Sequence, residues 1–162
     1  MGAWGFKALD SDNGLDVVDS IEEYISIKYP NSQQITLTLS EILSFLKGSL
    51  FGQSFEEVDF LYDNSSMALT ELYLLFKTTG SLPYENEDDE TKNLKTRVIE
   101  FIGDEKSFFF LLQYLEDIQN NVPDEDGERE IVELWKKSKN YDKWSENLNA
   151  LIKGLKEELK IS

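Results

Sequence analysis

The chain has 162 residues, 40% of them apolar, with 32 acidic and 16 basic side chains and a net charge of −16. That length suits one domain, residues 1–162, with a real core. A charge of that sign repels nucleic-acid phosphates and anionic membranes, so neither is expected as a partner; a basic protein surface is.

Cysteine and histidine are both absent. A disulfide framework, a Cys/His zinc site and Ser–His–Asp or Cys–His nucleophilic chemistry are thereby excluded. The lack of cysteine favours the cytoplasm. Met1–Phe6 has no basic run and no apolar segment follows, so no secretory signal is expected. Gly2 opens a myristoylation pattern that fails at Phe6, where Ser or Thr is required.

Residues 1–12 read as an ordered arm with Trp4 anchored in the core between Gly2 and Gly5. Asp12 or Asn13 is placed to cap a helix over Gly14–Ile27. Leu15, Val17, Val18, Ile21, Tyr24 and Ile25 share one side of it, and Asp12, Asp16, Asp19 and Glu23 line the other. Tyr29–Ser32 is a turn. Ile35–Leu39 alternates like a strand, but Thr38 with Glu41 forms a capping box, and Leu39, Ile42, Leu43, Leu46 and Leu50 fit a helix. The expectation is a helix from Leu39, with any strand confined to the three residues before it.

Ser54 with Glu57 is a second capping box, opening a pattern from Val58 to Phe76. Asp63-Asn64-Ser65-Ser66 is a natural place for that pattern to break into two helices. Gly80 is its stop. Glu85–Glu90 is an acidic loop. Thr91 or Asn93 starts a helix carrying Leu94, Val98, Phe101 and Ile102, ended by Gly103. Asp104 caps the next helix, within Ser107–Asn120, where Phe108, Phe109, Phe110, Leu111, Leu112, Tyr114, Leu115 and Ile118 leave little polar face. The run is far shorter than the ~20 residues of a membrane span, so it reads as a central core helix. Asp124–Glu128 is a second acidic connection, Ile131–Trp135 a short helix, and Asn140 the cap of a last amphipathic helix running from Tyr141 to Leu159.

The predicted fold class is all-α: six or seven helices around a buried Phe108–Ile118 helix, with at most one very short strand.

Asp10–Leu15 begins like a calcium loop, but the glycine position holds Leu15 and the closing glutamate position holds Ile21, so an Asx-rich turn is the better reading. The nine glycines form no phosphate-binding loop. What remains is the ridge Asp12, Asp16, Asp19 and Glu23. Like charges at that spacing cost only a few tenths of a kcal/mol per pair, so a solvated face tolerates them. Used functionally, the ridge would meet the basic groups of a protein partner. The alternative is a carboxylate-based divalent-metal enzyme or small-molecule binder on the same four residues.

Met1-Gly2-Ala3-Trp4-Gly5, followed by Leu9-Asp10-Ser11-Asp12-Asn13-Gly14-Leu15-Asp16, resembles bacterial domain-of-unknown-function family 4259. Members open Met-Gly-Ala/Thr-Trp-Gly and enter a helix from an Asn/Asp-rich turn; here Phe6-Lys7-Ala8 departs from the pattern. The resemblance implies a cytoplasmic, mainly helical bacterial protein with no catalytic residues to carry over. By analogy with small acidic bacterial proteins, an immunity-type or regulatory role follows, with no cofactor and no enzymatic step expected.

Overall fold

The computed structural model describes residues 5–52, 59–80, 94, 96–123, 127 and 129–161. Trp4, the Ser54–Glu57 box, the starts Thr91 and Asn93, the Glu85–Glu90 run and most of Asp124–Glu128 lie outside them. The described residues form six helices and one two-stranded parallel sheet.

Helix α1 spans Asp12–Lys28. Its cap is Ser11, ahead of the expected Asp12 or Asn13. Ser11 Oγ accepts from the Gly14 N–H at 3.0 Å and donates to the Ala8 carbonyl at 2.6 Å. Asn13 is instead turned inward toward the third helix. Gly14 is required here, because a Cβ would stand 2.1 Å from the Ala8 carbonyl oxygen where the arm crosses α1.

Strand β1 covers Gln34–Thr38, two residues longer than expected, and leads directly into α2, Leu39–Leu46. The Thr38/Glu41 capping box forms in both directions, with Thr38 Oγ1 accepting from the Glu41 N–H and the Glu41 carboxylate accepting from the Thr38 N–H. Leu46 ends α2 short of Leu50, and a turn with Gly48 at φ 86° follows.

Helix α3, Phe60–Thr79, is capped by Asp59 and stopped by Gly80 at φ 72°. It does not break at Asp63–Ser66. Each polar side chain there has a partner that replaces water: Arg129 for Asp63, Ser11 and Asn13 for Asn64, Asn13 for Ser65, and the Asp63 carbonyl for Ser66.

Strand β2, Val98–Ile102, occupies the stretch expected to be helical and pairs in parallel with β1, Ile35 opposite Ile99 and Leu37 opposite Phe101. This overturns the helix expected through Val98, Phe101 and Ile102, and with it the limit of one very short strand. Positions 94, 98, 101 and 102 satisfy a helical stripe, while Ile99 and Phe101 satisfy a period of two. A short apolar run fits both, and the partner strand decides. Burial follows the strand period, with Ile99 and Phe101 inside and Val98, Glu100 and Ile102 outside.

Three further helices complete the chain: α4, Glu105–Gln119, α5, Glu130–Lys136, and α6, Tyr141–Ile161. Asp104 caps α4 as expected, accepting from the Ser107 N–H at 3.1 Å.

The centre of the molecule is α3, not the phenylalanine-rich α4. Every α3 residue from Asp63 to Tyr73 is buried, and α3 touches α1, α4, α5, α6 and β2. In α4, Phe108 is buried, Phe110 is half-buried and Phe109 is 54% exposed. Apolar content misranked the two helices because the polar residues of α3 are satisfied inside the core.

Gly103 joins β2 to α4. A Cβ there would lie 2.1 Å from the Phe108 ring, which is itself pinned against Tyr73 with ring centres 5.5 Å apart. We expect Gly103→Ala to destabilise by about 1–3 kcal/mol. Urea unfolding should show a lower midpoint with an unchanged slope.

Candidate functional site

Asp12, Asp16, Asp19 and Glu23 are all exposed, along one stripe of α1. The opposite face carries the buried Val17, Val18, Ile21 and Ile25. At 1.5 Å per residue the stripe runs about 16 Å. Glu22, next to Glu23, is not part of it: it is buried, and its carboxylate accepts from the Leu94 N–H at 2.9 Å.

The chain cannot neutralise its own carboxylates. If each of the 16 basic groups paired with one of the 32 acids, 32 − 16 = 16 acids would remain. Several bases are already engaged: Lys28 with Glu41 at 3.1 Å, Lys77 with Glu158, and Arg129 with Asp63 at 2.8 Å. The ridge thus belongs to a chain with a net charge of −16. Among the described residues, no group of three or more acidic side chains converges closely enough to hold a metal ion. The ridge carboxylates stand in a row on a convex surface, a geometry suited to several separate cations on a partner. The metal alternative has no geometric support here; a thermal shift on adding Mg²⁺, Mn²⁺ or Ca²⁺ is its test.

Beneath α1 lies a polar seam that sequence spacing did not signal. Asn64 Nδ2 donates to Asn13 Oδ1 at 2.7 Å and to Ser11 Oγ at 3.1 Å, and Asn13 Nδ2 donates to Ser65 Oγ at 3.2 Å. Beside it, the Arg129 guanidinium grips Asp63 with two hydrogen bonds, 2.8 and 2.9 Å, and donates to the Val122 carbonyl at 3.0 Å. Burial pushes the Asp63 carboxyl up to about 6 against the pull of Arg129. One sequence signal existed: Arg129 is the only cation between Lys106 and Lys136, set among acids.

Glu71 is the other buried acid. Its carboxylate accepts from the backbone N–H groups of Ala8 at 2.6 Å and Leu9 at 3.2 Å, and from Asn147 Nδ2 at 3.3 Å. It thus ties the N-terminal arm and α6 to α3. Burial raises its carboxyl to about 7, opposed by those donors. A cavity of about 290 Å³ adjoins it, bounded by Lys7, Leu74, Leu75 and Thr78 among others.

A larger open cleft of about 470 Å³ runs along β2 from Ile99 to Gly103. Its far wall is Tyr73, Phe76 and Lys77 of α3, Phe108 of α4 and Glu158 of α6. Phe101 stands edge-on to Tyr73 with ring centres 5.5 Å apart, so much of the lining is aromatic. Burial and the nearby Glu158 push the Tyr73 phenol up to about 12.

No family model matches the chain, and no curated protein or solved structure matches it either. Among the described residues, no helix is long and apolar enough to cross a membrane.

Proposed function

We propose that this protein is a non-enzymatic acidic binding module, cytoplasmic and of bacterial origin, that recognises a basic protein surface in an immunity-type or regulatory role. The observation that carries the reading is the ridge: Asp12, Asp16, Asp19 and Glu23 all face solvent on a helix whose opposite side is anchored in the core. A rigid row of carboxylates in a field of net −16 attracts a cationic partner over roughly a Debye length and orients it on contact. The lack of histidine and cysteine is consistent with binding in place of nucleophilic catalysis.

The test is capture of partners from native lysate by the intact chain and by Asp12→Asn/Asp16→Asn/Asp19→Asn/Glu23→Gln. The unaltered chain is expected to hold a partner at low salt and release it near about 0.5 M, where the Debye length falls below the reach of exposed charges. The neutralised variant is expected to lose that partner while keeping a cooperative melt within a few degrees of the parent, since all four side chains are exposed on α1. Recovery of the same protein by both forms at the same salt would overturn the reading.

A further inference from the structure

Strand β2 has β1 on one side and no second neighbour among the described residues. The Val98 N–H donates to the Gln33 carbonyl at 3.0 Å, so Val98 faces β1 with its backbone. Alternate residues of a strand turn their N–H and C=O groups to opposite sides, and the register then places Glu100 and Ile102 with Val98. Ile99 and Phe101 direct theirs away from β1; both residues line the open cleft of about 470 Å³ and are 4% and 7% exposed. Natural edge strands are commonly blunted by lysine or proline. Val98-Ile99-Glu100-Phe101-Ile102 has neither; its only charge is the exposed Glu100.

We propose that the outer edge of β2 receives an extended, basic segment of a partner protein as a third strand. The pairing dictates the segment's chemistry. Side chains of neighbouring strands that share a face stand beside each other. Those beside Ile99 and Phe101 enter the aromatic cleft against Phe76 and Phe108, and must be apolar. Those between them point outward beside Glu100, and lysine or arginine fits there. The outward Val98 and Ile102, 61% and 42% exposed, give the aliphatic stems of such side chains a surface to lie on. Lys77 does not repel the segment, because Glu158 already pairs with it. This proposal deepens the reading above and rests on it for the sign of the partner's charge. Backbone pairing would supply affinity and the alternating pockets specificity, the general logic of strand addition.

The experiment titrates the full chain, isotopically labelled for backbone NMR, with two end-capped peptides of alternating lysine and valine, eight residues long. One is unmodified; the other is N-methylated at every residue, which keeps charge and side chains and removes the donors. The unmodified peptide is expected to shift the Ile99 and Phe101 amides and protect them from exchange. The methylated peptide should bind about tenfold more weakly. Glu100→Lys, an exposed change that leaves the core intact, should weaken the unmodified peptide about threefold or more. Equal affinity of the two peptides, or no response at β2, overturns the proposal. Shifts confined to Asp12–Glu23 would do so while leaving the acidic-ridge reading standing; shifts at β2 with none on α1 would do the reverse.

Discussion

Arg129→Met is expected to destabilise the protein by about 3–5 kcal/mol, because it strands a buried carboxylate. The Arg129 and Asp63 side chains are 2% and 1% exposed, and the guanidinium makes both hydrogen bonds to the carboxylate. Removing it leaves an acid inside α3 with nothing to replace the water it lost on folding. Protonation of Asp63 relieves part of that penalty, so the loss should be smaller at pH 5 than at pH 8. The contact from Arg129 to the Val122 carbonyl disappears too, which loosens the connection between α4 and α5. The double change Asp63→Leu/Arg129→Met should recover most of the loss, because an apolar pair of similar volume removes both buried charges. Urea unfolding of the three variants measures this. A single variant within about 1 kcal/mol of the parent would show that the pair is not carrying its charges in a dry interior.

Stability is expected to fall as pH rises from 4.5 to above 7, and Glu71 is the main single cause. Its carboxyl is raised from 4.5 to about 7 in the folded chain. The fold therefore holds this proton more tightly than the unfolded chain does. Its stabilising share is fully present below 4.5 and is lost as pH rises through about 7. The size is about 3 kcal/mol. Asp63, raised from 3.8 to about 6, acts with the same sign. Repulsion among the surface carboxylates also grows over part of this range, so the parent curve alone does not isolate Glu71. Glu71→Gln does. Its amide, like the protonated carboxyl it mimics, offers one strong acceptor oxygen to the Ala8 and Leu9 N–H groups, so the variant should lie close to the parent at pH 5. Its stability should then vary much less between pH 5 and 8 than that of the parent. Melting temperature against pH for the two proteins provides the check, and parallel curves would remove Glu71 as the cause.

How far each element was legible depended on the distance between its determinants. The Thr38/Glu41 box, the Asp104 cap and the Gly80 stop each involve groups a few residues apart, and each lies where the sequence places it. The Ser11 cap was missed by one position because Asn13, a sound cap by type, is claimed by Asn64 and Ser65 across the interface with α3. At Val98–Ile102 the helical period misleads, because nothing local distinguishes a strand from a short helical stripe when the partner lies in another part of the chain.

The candidate site divides in the same way. The ridge Asp12, Asp16, Asp19 and Glu23 was legible, since one helix and its periodicity place all four on a single outward face. Glu71 was not, because its partners Ala8 and Leu9 lie 63 and 62 residues away. The cleft beside β2 was equally hidden, being assembled from α3, β2, α4 and α6.

By itself, then, the amino-acid order determined a mainly helical chain, the ends of several helices and the outward acidic stripe, because hydrogen bonds within a turn and side-chain periodicity need no distant partner. The tertiary structure alone decided that α3 lies at the centre, that Val98–Ile102 is a strand, and that Asp63 and Glu71 are buried acids. Each of those outcomes depends on which remote group replaces water around a polar atom, and Arg129 reaches Asp63, 66 positions earlier, only after the chain between them has folded back.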